Sequence, residues 1–330
     1  MDFFLYFCTV KYATTMINRT LLRTKTVQVL YSMYVKHDID LVMAESELAT
    51  SARKSYDLYN SLLLLLVEVH RLACMRNDVI HNRIGERRGE NAISERFIRN
   101  RFINQLAEND MLNTYVAEEK LSWADHPEIA KSILDNILAS DYYQNYNTDT
   151  DNTYDTDREL WRKIVKNEFI NNDALESTIE DINSHWAVGA DLILQFVIKT
   201  IKTFDPVNEN RQPLLAMFDK AKGENLQYAT MLIDNVLLHN SATDAQITKY
   251  LKDWDYNRLP LMDKVIIKCG IEEMSANKET PVPILINEYI EIAKSFSSPQ
   301  SARFINGILD KIAKENSQVA NKWKAEAEQQ

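Results

Sequence analysis

Six glycines and seven prolines are spread over 330 residues. These two residues are the main interrupters of regular backbone. The periodic stretches of this chain are instead dominated by Ala, Leu, Glu, Lys and Ile. Scarce breakers and abundant helix formers predict an all-α chain. Hydrophobic residues make up 45%, enough for a real core. The length allows one large domain or two smaller ones.

The formal charge is −10, which argues against a surface that coats nucleic acid indiscriminately. It leaves room for a local basic patch. Residues 16–37 hold Arg19, Arg23, Lys25 and Lys36 and no acid. Three scattered cysteines, Cys8, Cys74 and Cys269, do not make a disulfide framework, so a reducing, cytoplasmic setting is expected. The opening "MDFFLYFCTVKYATT" is apolar but has no basic n-region and carries Asp2 and Lys11, unlike a signal peptide. Residues 1–16 are expected to be a disordered extension or an overcalled start, with Met16 at the beginning of the helical pattern. The run Leu62–Val67 is too short to span a bilayer, so no membrane partner is expected.

Periodicity places a first helix over 17–36, where Val27, Leu30, Tyr31 and Tyr34 recur at i, i+3, i+4 and i+7. Helical stretches follow at 52–82, 92–108 and 127–139, the last with Pro127 at its first position. The charged segment 83–91 is read as a break. Residues 140–157, rich in Asn, Asp, Thr and Tyr, are read as a loop or flexible linker. Helices return at 158–170 and 186–203, before a loop bracketed by Pro206 and Pro213. Gly223 reads as a helix stop. Dense patterns then run over 226–240, 244–253, 259–275, 284–296 and 299–314, leaving 317–330 as a tail.

In 259–275 the charges Lys264, Lys268 and Glu272 fall four apart, and most other positions are apolar. That predicts a helix wrapped on nearly every side, the central post of a bundle, with Gly270 admitting a close neighbour. Ser297 or Ser298 is expected to cap the last helix. Gly307, inside that helix, costs about 1 kcal/mol relative to alanine and is expected to face a packed neighbour.

The segments "DWDYNRLPLMDKVIIKCGIEEM" (253–274) and "TPVPILINEYIEIAKSFSSPQSARFINGILDKIAKE" (280–315) carry more than periodicity. Trp254, Arg258, Leu259, Asp263, Lys264, Glu273, Pro281, Ile286, Asn287, Glu288, Glu291, Ala293, Lys294, Phe304, Ile305, Asn306, Gly307, Leu309 and Asp310 stand in the order and at the gaps of a recurring family string. Together they resemble the NusB family of transcription antitermination factors. "RTLLRTKTVQVLYSMY" is similar to the arginine-rich opening of that family and its Gln-x-Leu-Tyr segment, at Gln28, Leu30 and Tyr31. The resemblance covers about 17–37 and 225–315, and residues 38–224 then form a large helical insertion or diverged region without a recognisable motif.

The resemblance implies an all-helical fold of two small subdomains, no catalysis and no cofactor. Its implied partners are boxA-type RNA, ribosomal protein NusE and, indirectly, the RNA polymerase elongation complex. For RNA it points to Arg19, Arg23, Lys25, Gln300, Arg303 and Phe304. For NusE it points to Tyr31 and Glu273.

On the residues alone, Arg19 and Arg23 lie one turn apart on one face. They read as a solvated basic stripe or as cations that face phosphate together with a helix start. Arg303 and Phe304 read as an exposed charge above a core ring, or as a phosphate contact beside a stacking platform. Gln300 can hydrogen-bond a base edge. Glu273 reads as a solvated carboxylate beside Glu272. His70 and Cys74 lie four apart, but no further cluster completes a zinc site. There is no P-loop, G-x-S-x-G or G-x-G-x-x-G string. That argues against the methyltransferase domain that NusB-like domains also accompany. The competing readings are a NusB-fold interaction scaffold without RNA binding and an enzyme whose site lies in 38–224.

Overall fold

The computed structural model describes residues 2–37, 40–82, 93–187, 189–215, 224–251, 255–277 and 280–315, with side chains of the first helix from Arg19 onward. The charged break at 83–91, Gly223, Trp254 and the 317–330 tail lie outside the described residues. Among those described there are helices and no strand, as the low glycine and proline content predicts.

In chain order, α1 is Asp2–Lys36 and α2 is Leu41–Asn82. Then come α3 (Glu95–Ile98), α4 (Arg101–Ala107), α5 (Asp110–Glu119), α6 (Pro127–Ala139) and α7 (Asp141–Thr148). Helix α8 (Tyr154–Ile164) runs into a π-helical segment, Val165–Phe169, followed by α9 (Asp173–Ile182), α10 (Ser184–Ala187) and α11 (Ala190–Thr203). The remaining helices are α12 (Glu224–Leu238), α13 (Asn240–Tyr250), α14 (Leu261–Ala276), α15 (Val282–Phe296) and α16 (Pro299–Glu315). Two compact units result. Unit 1 is Met1–Ala52 with Phe218–Gln330, and unit 2 is Arg53–Met217. The sequence-based boundaries stood at 38 and 224.

Short polar residues start the helices of unit 2 in sequence. The side chains of Asn100, Asn109, Ser140, Thr153 and Asn172 each accept from a backbone N–H in the first turn of α4, α5, α7, α8 and α9. Thr153 and Thr156 form a reciprocal capping box. Pro127 takes the first position of α6. Residues 140–157 are therefore not a linker. Ser140 both ends α6 and caps α7, and α7 packs Tyr143 and Tyr146 inward. Two buried tyrosines three apart make a narrow apolar face, too short to register as periodicity among so many polar residues.

Helix α2 is long and apolar enough to cross a membrane by length and composition alone. Its central apolar side chains, among them Leu62, Leu63, Leu65, Leu66 and Val69, are instead buried in the protein, while Val42, Met43, Met75 and Val79 towards its ends are exposed.

The core of unit 1 gathers Leu22, Val27 and Leu30 of α1 with residues of α2, α12, α13, α14, α15 and α16. Helix α14 packs against α1, α12, α13, α15 and α16, so it is the central post. Its charged stripe is not solvated. Lys268 is 4% exposed and pairs with Asp244 at 2.6 Å, and Glu272 meets His239 Nδ1 at 2.9 Å. The Lys264 ammonium sits 4.4 Å from the Tyr256 ring centroid. At Gly270 a Cβ would fall 2.9 Å from Leu309 Cδ2 and 3.5 Å from Tyr289, so the bare backbone seats Leu309 of α16. Gly307 is the reverse of its expectation. It is exposed, and a Cβ there would meet nothing within 4 Å.

Candidate nucleic-acid interface

Helix α1 begins at Asp2, so Arg19 and Arg23 stand well inside it. They are not in its first turn, and the idea of a helix start reinforcing them does not apply. Arg23 is 2% exposed and points inward. Its Nε donates to both Glu273 oxygens at 3.1 and 2.8 Å, and its Nη2 donates to Oε1 at 2.7 Å. Nη1 donates to Glu288 Oε2 at 3.1 Å. Glu273, 1% exposed, also accepts from Tyr289 OH at 2.6 Å and Asn277 Nδ2 at 3.1 Å. Burial works against both charges. Their mutual hydrogen bonds and attraction outweigh it, raising the Arg23 pKa and lowering that of Glu273. Thus Arg23 is withdrawn from the expected RNA surface and Glu273 from the expected NusE surface. Together they clamp α1 to α14. Sequence reading missed the phenols around this pair, Tyr289 and Tyr228. Nothing in their spacing distinguishes a phenol that solvates a buried carboxylate from an ordinary core ring.

Lys25 is likewise interior, at 1% exposure. Burial pushes its ammonium down to about 8, with Glu47 pulling the other way. The folded value lies below the unfolded one of about 10.4. Between the two the unfolded chain holds more proton, so stability rises with pH across that window. Urea unfolding at pH 7 and pH 9.5 is expected to show this gain in the wild type and a smaller one in Lys25→Met. The same variant should leave RNA affinity unchanged. A surface contact would give the opposite pattern, with lost affinity and no pH effect.

The other expected residues are at or near the surface. Arg19 is half-buried, its guanidinium 5.2 Å from the Tyr228 ring centroid. Tyr31 is half-buried on α1. Gln300 and Arg303 are exposed, and Phe304 is half-buried against the core. Ser298 Oγ caps α16 by accepting from Ser301 N at 3.1 Å. Ser297 Oγ donates to the buried Asp263 at 2.6 Å, which ties the start of α16 to the first turn of α14. Arg23 is tied to the other end of α14, at Glu273. Ten residues separate these anchors, about 15 Å along the helix. The structure therefore does not gather the α1 arginines and the start of α16 through a shared anchor.

His70 and Cys74 approach at 3.8 Å, but His70 Nε2 is 2.9 Å from the Ile98 carbonyl oxygen and its ring lies among Phe97 and Trp161. Among the described residues no group of three His, Cys, Asp or Glu could hold a metal ion.

Comparison with known proteins places this helical set. The NusB family model matches residues 191–314. The transcription antitermination protein NusB of Elusimicrobium minutum is 37% identical over 116 residues, which is 81% of that protein and 35% of this chain. The chain belongs to the NusB family. The NusB of Helicobacter acinonychis is 36% identical over 125 residues, covering 90% of that protein and 37% of this chain. A solved structure of T. maritima NusB aligns with 45% of this chain and 94% of its own at 27% identity, with a TM-score of 0.30. The NusB family match begins at residue 191, so it takes in α11 as well as α12–α16. Sequence reading had started the C-terminal family region at 225. Its other block, 17–37, falls outside the matched residues, and α1 packs on α12 and α14.

Proposed function

We propose that this NusB-family chain is a transcription antitermination factor that binds boxA-type single-stranded RNA together with ribosomal protein NusE. Through that pair it acts on the RNA polymerase elongation complex during synthesis of ribosomal RNA. It works by binding rather than catalysis, as a cytoplasmic regulatory factor. The observation that carries this reading is similarity over 81% and 90% of the length of two proteins named as NusB antitermination factors, borne by 35% and 37% of this chain.

The residues proposed for RNA are those the fold leaves accessible. Gln300 and Arg303 are exposed at the start of α16, with the edge of Phe304 beside them. Arg19 is the remaining candidate on α1, and Tyr31 is the candidate for NusE. Arg23 and Lys25 are interior and are not among the proposed RNA contacts.

The test is fluorescence anisotropy of a boxA-type RNA, with and without NusE, over a range of salt. Binding is expected to tighten with NusE and to weaken as salt rises. Arg303→Glu should lower affinity and flatten the plot of log K against log salt by about 0.7 or more. No RNA binding with or without NusE sinks the reading. If NusE still binds in that case, the scaffold reading replaces it. The burial of Arg23 and Lys25 is the observation that keeps that alternative specific, since it removes two cations from the surface.

A further inference from the structure

Gly307 stands in the middle of a 17-residue helix, exposed and with open space where its Cβ would be. No local packing explains a residue that weakens the helix around it. Its surroundings on α16 are specific. Gln300, Arg303, Gly307 and Lys311 follow one another at spacings of three, four and four, which keeps them on one face. All four are exposed. Among the described residues no side-chain hydrogen bond or ion pair holds Gln300, Arg303 or Lys311. Arg303 and Lys311 thus flank the bare glycine by about one turn on either side, about 12 Å apart along the axis. Lys314, one turn further, is occupied by Asp310 at 2.7 Å.

Two free cations with a smooth floor between them fit a polyanionic strand lying along the helix. A protein partner fits less well. None of the exposed large hydrophobic side chains belongs to α16, so the face offers no apolar anchor. We propose that this face is a track for the RNA sugar-phosphate backbone, which touches the helix at Gly307 while Arg303 and Lys311 hold phosphates before and after it. The proposal rests on the RNA-binding reading above and extends it by Gly307 and Lys311. The glycine's function is the absence of a side chain. A methyl group there would lift the strand from the helix and lengthen both phosphate contacts.

The experiment compares wild type, Gly307→Ala, Lys311→Ala, Arg303→Ala and Lys294→Ala. The last removes an exposed cation of α15 that pairs with Glu291. Each is measured for thermal midpoint, for anisotropy with a boxA-type RNA across salt, and for NusE binding. Gly307→Ala is expected to raise the midpoint by a few degrees and to weaken RNA binding fivefold or more. Lys311→Ala should weaken binding and reduce the salt slope by about 0.7, while Lys294→Ala should change affinity less than twofold. If Gly307→Ala and Lys311→Ala bind RNA like wild type while Arg303→Ala does not, the track is wrong and the RNA reading stands. Loss of NusE binding in Gly307→Ala, with RNA affinity intact, would assign the face to protein and overturn the proposal. Failure of wild type to bind RNA removes both.

Discussion

Replacing Arg23 with methionine is expected to cost about 3–5 kcal/mol of stability, the largest single effect in unit 1. The substitution strands Glu273, 1% exposed, with a carboxylate that loses three guanidinium hydrogen bonds and is left with the neutral donors around it, Tyr289, Asn277 and Tyr228. The reverse change, Glu273→Met, strands Arg23 against Glu288 alone, and a similar loss is expected. The double variant should recover most of the loss, because removing both charges also removes their desolvation cost. Urea unfolding of the four proteins completes the cycle. A double variant as unstable as the sum of the singles would mean that the pair is not the unit of energy described here. The pH dependence has a definite sign. Glu273 is held below its ordinary pKa, so its contribution is complete at neutral pH, fades as pH falls below the ordinary carboxylate value and is gone once pH has passed through the depressed one.

Asp157→Ala is the corresponding change in unit 2, with an expected cost of about 3 kcal/mol. Asp157 is 2% exposed in the first turns of α8. Its Oδ2 accepts from Arg101 N at 3.0 Å and Arg101 Nε at 2.7 Å, and its Oδ1 accepts from Tyr146 OH at 2.8 Å. One carboxylate therefore joins α4, α7 and α8. Truncation takes the acceptor from a part-buried backbone N–H and leaves the phenol only a longer bond to the Arg96 carbonyl oxygen at 3.3 Å, and that loss, more than the half-exposed Arg101 pair, sets the size of the effect. Hydrogen exchange should show faster exchange in α4, α7 and α8 while α14 and α15 stay protected. Asp157→Asn keeps an acceptor for one donor and should lose about half as much. Equal exchange in wild type and Asp157→Ala would contradict the junction.

The helices that sequence reading placed best are those whose burial is decided by many apolar residues. Helix α14 was legible as the post because most positions outside its charged stripe are apolar, and α6 because Pro127 marks its start. Helices α5, α7 and α9 were missed. Their faces rest on two or three buried side chains each, and their starts depend on caps that also read as loop residues. The family was legible because its string is long and ordered. The surface was not. A basic residue on a helix looks the same in sequence whether it meets water or a buried carboxylate. Arg23 was assigned outward because Glu273 lies 250 positions away. The two interior glycines were indistinguishable for the same reason: Gly270 is filled by Leu309 and Gly307 is open, and only the partner helix decides which.

That long separation also governs how the molecule is made. Unit 1 is assembled from the two ends of the chain, whereas unit 2 is one uninterrupted stretch. During synthesis unit 2 is complete while α12–α16 do not yet exist. At 5–20 residues per second, α1 waits roughly 10–40 s for the helices that cover it. Through that interval Leu22, Val27 and Leu30 have only the α2 part of their core, and Arg23 lacks Glu273 and Glu288. The step that closes unit 1 is the capture of α1 by helices made after the whole of unit 2.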